Sequence, residues 1–345
     1  MSLFRKRTLP MLTTDLIEAL REQDNRAFSA AQREIVKRAE RADAAELTAA
    51  LHELERALQT VPLGMGGQLA TLAAGFVEYG GDPLVALETL ALRGSDGLER
   101  AARFPALWQA VGEGAPLPEP DDHERIPAVQ AELGSNEEHE LAEAWFSVGE
   151  WIPSLLLPLQ QAKGRKALPH RARLTAAAEA AQEHIGEVGW LYGLLRVLDD
   201  EPVIVLHPDS GRGFRLTIGG IGDNFQLHTL LAATLIGDPA QGKIPGEPIP
   251  PEWVAAATTG EDLEPSGGIG GRFNLVDAGG KWIWNEGRPA DIPRLDGYRI
   301  VVLEKPPYER TWNAGRVYPL MPPSVTVDAH LTPAEVSDWL AKIGK

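Results

Sequence analysis

Residues 203–235 read VIVLHPDSGRGFRLTIGGIGDNFQLHTLLAATL, and this stretch decides the fold class of the second half of the chain. VIVLH and FRLTI have the apolar, β-branched character of strands, and the PDSGRG between them has the composition of a turn. The glycine-rich residues 219–222 then lead into FQLHTLLAATL, which has the character of a helix. Two adjacent strands followed directly by a helix predict an α+β domain.

The rest of the C-terminal half supports the same fold class. Residues 273–287, FNLVDAGGKWIWNEG, predict a hairpin around a Gly-Gly turn. YRIVVLE at 298–304 predicts a buried strand, while the prolines in and around VYPLM and SVTVD predict edge strands. Thr332 and Pro333 suit the N-cap and first position of a closing helix. We therefore predict a smaller α+β domain with antiparallel hairpins over residues 201–345.

The N-terminal part of the chain has a different pattern. Apolar residues recur at three- and four-residue spacing from about residue 11 to residue 198, as they do in helices that bury one face. A proline- and acid-rich segment at 113–135 interrupts this pattern. We therefore predict an all-helical domain over residues 1–200, a bundle or stack of short helices with a break near 113–135.

Glycines and prolines give the expected helix ends inside this domain. Glycines predict breaks around residues 64–67 and 80–81, and the Gly-Ser-Asp sequence at 94–96 predicts a tight link between two short helices. Pro158 is expected to kink or end the helix in which it lies. Residues 171–200, in contrast, predict one long helix.

Charge and composition argue against several classes of partner. The net charge of −16 disfavours nucleic acid and anionic membrane, since both require a basic surface. The absence of cysteine excludes disulfides, thiolate metal sites and a cysteine nucleophile. The first residues lack the apolar run of a secretory signal, and the apolar run at 227–237 is too short to span a membrane. These observations predict a cytoplasmic protein.

The turn at 219–222 has two interpretations. Asp223 is suited to cap the following helix, with Gln226 three residues further on. The glycines Gly219, Gly220 and Gly222 then form either a tight strand-to-helix turn or a cradle whose amides hold an anion. The first is favoured, because Phe225 stands where a dinucleotide-binding motif needs its third glycine. A similar sequence at 267–276 leads into a strand instead and indicates no repeat.

Two segments near the C-terminus interleave aromatic, arginine and asparagine residues, a mixture typical of binding sites. The alternative is a loop network held together by Arg–Asp pairs. The candidate ligand-binding residues are Trp282, Trp284, Asn285, Arg288, Arg310, Asn313 and Arg316, together with Gly219, Gly220 and Gly222. They form one pocket if the segments, the glycine turn and the proline-rich loop at 237–253 come together.

Three functions are compatible with these observations. The first is a binding or interaction protein whose α+β domain takes a small polar or anionic ligand or a peptide, with the helical domain as a docking surface for a protein partner. The second is a transferase or hydrolase with Asp223 or His228 as the catalytic base. The third is a structural component of an assembly. The sequence predicts no metal site and identifies no cofactor.

Overall fold

The computed structural model describes residues 7–259, 268–313 and 315–344. Within them the chain divides into two compact units, Met1–Leu195 and Arg196–Lys345. The first is helical, and the second combines helices with a mixed sheet, so the predicted fold class is confirmed. None of the described helices combines the length and the apolar character needed to cross a membrane.

The helical unit consists of helices connected by turns and, between Val111 and Ile126, by a longer segment. They are α1 (Leu9–Arg21), α2 (Asn25–Ala39), α3 (Ala44–Leu58), α4 (Leu63–Glu78), α5 (Leu87–Ala101), α6 (Phe104–Val111), α7 (Ile126–Ala131), α8 (Asn136–Ser147), α9 (Ile152–Gln160), α10 (Ala162–Ala167), α11 (Arg171–Ala181) and α12 (Gly186–Leu195). A 3-10 turn, Val148–Trp151, connects α8 and α9. The segment 113–135 contains α7 and is otherwise largely irregular, as its prolines predict.

Glycines inside α4 and α5 do not break these helices, which corrects two expectations. A Cβ atom on Gly66 would lie 2.2 Å from the Trp151 ring, and one on Gly94 would lie 2.8 Å from the Leu155 side chain. These glycines therefore allow neighbouring helices to approach closely, and the packing outweighs their low helix propensity.

Two further expectations concern where helices end, one over residues 171–200 and one at Pro158. The helix expected over 171–200 is divided, since α11 ends at Ala181 and α12 begins at Gly186. Ile185 is buried in the connection, and glycine is a poor helix former. Pro158 is accommodated inside α9, two residues before its last residue.

The α+β unit begins with a hairpin and ends with a helix. Its elements are β1 (Glu201–His207), β2 (Arg212–Gly219), α13 (Asn224–Leu235), β3 (Ile236–Gly237), β4 (Ile244–Pro245), α14 (Pro251–Thr258), β5 (Ile269–Gly270), β6 (Asn274–Val276), β7 (Arg294–Leu295), β8 (Tyr298–Glu304), β9 (Thr311–Trp312), β10 (Ser324–His330) and α15 (Pro333–Lys342). The predicted hairpin of β1 and β2, the buried β8 and the N-cap of α15 at Thr332 are confirmed.

The main sheet has the strand order β10-β2-β1-β8-β6, with β7 paired to β8. β1 and β8 are parallel, whereas the other pairs are antiparallel. Alternate residues of β1 point to opposite faces: Val203 belongs to a core that α13 and α14 cover, and Ile204 belongs to a core that α15 covers. The residues VYPLM form turns rather than a strand, because prolines at 319, 322 and 323 lack the N–H that pairing needs.

Candidate functional site

The glycine turn joins β2 to α13 and brings the backbone close to a neighbouring segment. Gly220 has φ +64°, and a Cβ atom there would lie 2.4 Å from the carbonyl oxygen of Pro322. Only glycine fits this combination of backbone conformation and close approach. The predicted strand-to-helix turn is thus observed, and its tight geometry follows from the packing of the chain around it.

The amides of the turn have acceptors within the chain. Gly220 N donates to the carbonyl oxygen of Leu198 at 3.0 Å, and Gly222 N donates to Oε1 of Gln226 at 2.9 Å. Asp223 caps α13, with its Oδ1 accepting from Gln226 N at 2.7 Å. Because these donors are occupied, the hydrogen bonds favour a structural turn over an anion cradle at these amides.

The first amides of α13 hold a second segment in place. Asn224 N donates to the carbonyl oxygens of Asn285 and Gly287, and Phe225 N donates to that of Asn285, at distances of 2.9 to 3.1 Å. Asn224 Nδ2 donates to the Trp284 carbonyl oxygen at 2.7 Å. The orphan donors of a helix start therefore fix the position of the backbone that follows Trp284.

His228 lies on α13 and is fully buried. Its Nε2 accepts hydrogen bonds from Arg272 N at 3.1 Å and Phe273 N at 3.0 Å. Burial and, to a lesser extent, the charge of Arg310 together lower the pKa of His228 to about 3. The ring is therefore neutral with its lone pair occupied, and the geometry disfavours the general-base role that the sequence suggested for it.

Asp223, the other candidate base, has a different environment. Burial raises the pKa of its carboxyl to about 6, although the amides of Gln226 and Phe225 and the charge of Arg288 act in the opposite direction. Burial also raises the pKa of Tyr318 to about 12, and the charges of Arg288 and Asp223 act on that phenol. Asp223, Arg288 and Tyr318 thus form one electrostatic group beside the glycine turn.

A turn stabilised by Asp277 positions the two candidate tryptophans. Asp277 Oδ1 accepts from Gly279 N at 2.8 Å and from Lys281 N at 2.9 Å. The chain then alternates, so Ile283 is buried while Trp282 is 36% exposed and Trp284 is 64% exposed.

The hairpin expected at 273–287 is only partly formed. After β6 the second arm makes a single bridge, between Val276 and Trp282, and Ile283 N donates to the carbonyl oxygen of Leu275 at 2.9 Å. The other edge of β6 pairs with β8, which places this short arm at the margin of the sheet.

Trp282 and Trp284 stack on each other at this margin. Their ring centroids are 5.0 Å apart and their planes differ by 20°. The guanidinium of Arg310 lies 5.2 Å from the Trp282 ring centroid, and its Nη2 donates to the carbonyl oxygen of Phe273 at 2.9 Å. The structure therefore brings three of the candidate binding residues together as an Arg–Trp–Trp group.

A cavity of about 330 Å³ lies beside the two tryptophans. Its lining residues are Asn224, Asp277, Trp282, Ile283, Trp284, Gly287, Asp291, Ile292 and Pro293. Asn224 is 1% exposed, and its Oδ1 has no hydrogen-bond partner. Asp291 Oδ1 pairs with Arg196 at 2.5 Å, and its Oδ2 accepts from Arg288 N at 2.7 Å.

Other candidate residues lie outside this lining. Arg316 donates to the carbonyl oxygens of Met321 at 3.0 Å and Thr259 at 2.9 Å, so it holds loops together. Asn313 is exposed, and Asn285 is buried beside the start of α13. The described part of the proline-rich loop at 237–253 contributes no residue to the cavity wall.

Two polar residues of the cavity, Asn224 and Asp277, are not among the candidate residues that the sequence indicates. Asp277 carries a recognisable signal, because an Asp two residues before Gly279 is typical of a side chain that bonds the backbone of a turn. Asn224 carries none, since its burial depends on the distant segment around Trp284. Among the described residues, no group of three or more His, Asp or Glu side chains could hold a metal ion.

Comparisons with protein-family models, with curated proteins and with solved structures give no match for this chain.

Proposed function

We propose that this chain is a binding protein and that the cavity beside Trp282 and Trp284 is its ligand site. The observation that carries the proposal is the stacked pair of exposed tryptophans at the wall of a cavity with a buried, unpaired amide oxygen on Asn224. Aromatic walls with a few fixed polar groups are characteristic of ligand sites.

The exposure of the tryptophans has an energetic consequence. Burial of a large apolar side chain contributes about 1.5–3 kcal/mol, and Trp284 leaves 64% of its accessible surface in water. A ligand that covers Trp282 and Trp284 gains part of this free energy. The Asp277 turn and the Arg310 contact hold the rings before a ligand arrives, which reduces the entropy lost on binding.

A thermal-shift screen of small molecules and short peptides tests the proposal. A ligand that binds the native state raises the melting temperature by mass action. We expect hits that Trp284→Ala removes and that Trp190→Ala retains, since Trp190 is 54% exposed but lies in the helical unit. A panel without any shift, or hits that persist in Trp284→Ala, would refute this site.

A second candidate function is acid–base catalysis in a transferase or hydrolase, with Asp223 as the group that exchanges the proton. A carboxyl group with a pKa of about 6 exchanges a proton near neutral pH, and Arg288 and Tyr318 lie in its field. Asp223→Asn keeps the helix cap and removes the acid, so any acyl- or phosphoryl-transfer activity should be lost without loss of the fold. Activity that survives this substitution excludes Asp223 as the base.

Two further roles stay predictions from the sequence. One is the helical unit as a docking surface for a protein partner, and the other is a structural role in an assembly.

A further inference from the structure

The polar groups in the wall of the cavity include three hydrogen-bond acceptors. Asn224 Nδ2 is already bonded to the Trp284 carbonyl oxygen, which leaves Oδ1 as its unpaired group. Asp277 and Asp291 line the same wall, and no lysine, arginine or histidine is among the described residues that line it. A ligand that complements this wall brings donors and positive charge.

The two carboxylates differ in how far they are already neutralised. Asp291 forms an ion pair with Arg196 at 2.5 Å. Asp277 is 7% exposed and forms no ion pair within the described part of the chain, where its side chain accepts hydrogen bonds from the backbone amides of Gly279 and Lys281. A buried carboxylate without a cationic partner attracts a cation strongly, because water screens it poorly.

The aromatic wall suits the same kind of ligand. A tryptophan ring attracts a cation placed over its face more strongly than a tyrosine or phenylalanine ring does. Arg310 already stands over Trp282 at 5.2 Å, so this aromatic group holds one guanidinium within the chain. Trp284 is more exposed than Trp282 and has ring surface left for a second cation.

We propose, building on the proposed binding function, that the cavity takes a cationic nitrogen group, either an ammonium or a guanidinium. The volume of about 330 Å³ is near the lower limit for ligand sites, and it suits one such head group with a short aliphatic stem. A phosphate or carboxylate ligand would meet Asp277 and Asp291 instead. The cavity therefore selects against the anionic ligands that the glycine turn had suggested.

Titration of the intact 345-residue chain with matched probes tests this assignment. The cationic probes are N-acetyl-arginine methylamide, N-acetyl-lysine methylamide and agmatine, and the neutral isostere is N-acetyl-citrulline methylamide. Isothermal titration calorimetry gives each affinity, and the quenching of tryptophan fluorescence reports contact with the rings. We expect the arginine probe to bind at least about tenfold more tightly than citrulline, with an affinity that falls as salt is added. Agmatine has no peptide backbone. Its binding therefore shows whether the cavity recognises a free amine as well as the side chain of a peptide.

The Asp277→Asn variant tests the contribution of the Asp277 charge to binding without changing the turn. The asparagine keeps the Oδ1 that accepts from Gly279 N and Lys281 N, so the turn is retained while the charge is removed. We expect it to weaken binding of the cationic probes about tenfold and to leave citrulline unchanged. Asp338→Asn, in α15, removes the same charge from a residue that does not line the cavity, and it should have no effect.

The possible results separate this inference from the proposed function. Cationic probes that bind no better than citrulline, or equally well to Asp277→Asn, overturn the cation assignment. If a neutral or anionic compound then binds in a manner that Trp284→Ala removes, the ligand site stands with another ligand class. If no compound depends on Trp284, both conclusions fail.

Discussion

His228 illustrates how burial can remove the reactivity of a residue that looks catalytic in the sequence. Its ring accepts two backbone amides and is kept neutral, with a pKa of about 3. An unfolded chain protonates the same histidine near pH 6.5. The unfolded state therefore binds more protons than the native state between these values, and stability falls as pH falls through this range.

His228→Gln tests this linkage. Glutamine offers a neutral acceptor and does not titrate, so the variant should lose less stability than the wild type between pH 7 and pH 4, by on the order of 3 kcal/mol. Urea unfolding at several pH values measures the difference. His330→Gln, at an exposed position of β10, serves as the control. Parallel curves for wild type and His228→Gln would contradict the neutral, buried ring.

Residues of the site were predictable from the sequence only where their role is local. The cap formed by Asp223 follows from the residues next to it and could be read directly. The partners of His228 are amides 44 and 45 residues later in the chain, so its neutral state could not be predicted from the sequence. Asn224 was missed for the same reason, because its partner is the carbonyl oxygen of Trp284.

At the scale of elements, glycines in one helix have two different roles. In α4 a Cβ atom on Gly66 would collide with the Trp151 ring, whereas one on Gly75 would have no atom within 4 Å. Gly66→Ala should therefore destabilise the helical unit by about 1–3 kcal/mol, since a packed interface must shift. Gly75→Ala should stabilise it by about 0.5–1 kcal/mol, because alanine is the better helix former.

Thermal or urea unfolding of the two variants measures this contrast, and each variant serves as the control for the other. If Gly66→Ala were as stable as Gly75→Ala, the close approach of Trp151 to α4 would be wrong.

Helix starts are predicted correctly where a capping side chain marks them. Asp223 at α13 and Thr332 at α15 satisfy the first amides, and each cap can be recognised from a few residues. Helix breaks were predicted wrongly at residues 64–67 and 94–96, because a glycine that admits a neighbouring helix has the same sequence signal as one that ends a helix.

For the whole molecule, the fold class was predictable, whereas the sheet order was not. Strand and helix periodicity gives the class directly. The parallel pairing of β1 with β8 joins segments separated by much of the α+β unit, and no local signal specifies it. The site depends on this pairing indirectly, since β8 also pairs with β6, which leads into the Asp277 turn.

The α+β unit should fold without the helical unit. The α+β unit has cores on both faces of its sheet, and every residue that lines the cavity lies in it. A fragment of residues 196–345 should therefore unfold cooperatively by itself, with a stability of about 5–15 kcal/mol, and should bind a ligand of the cavity with the affinity of the whole chain. Circular dichroism and calorimetry measure both properties. A fragment that begins at Pro208 lacks β1, the strand between β2 and β8, and should not fold. If residues 196–345 also failed to unfold cooperatively, their sheet would require the helical unit, and the ligand site could not be an autonomous module.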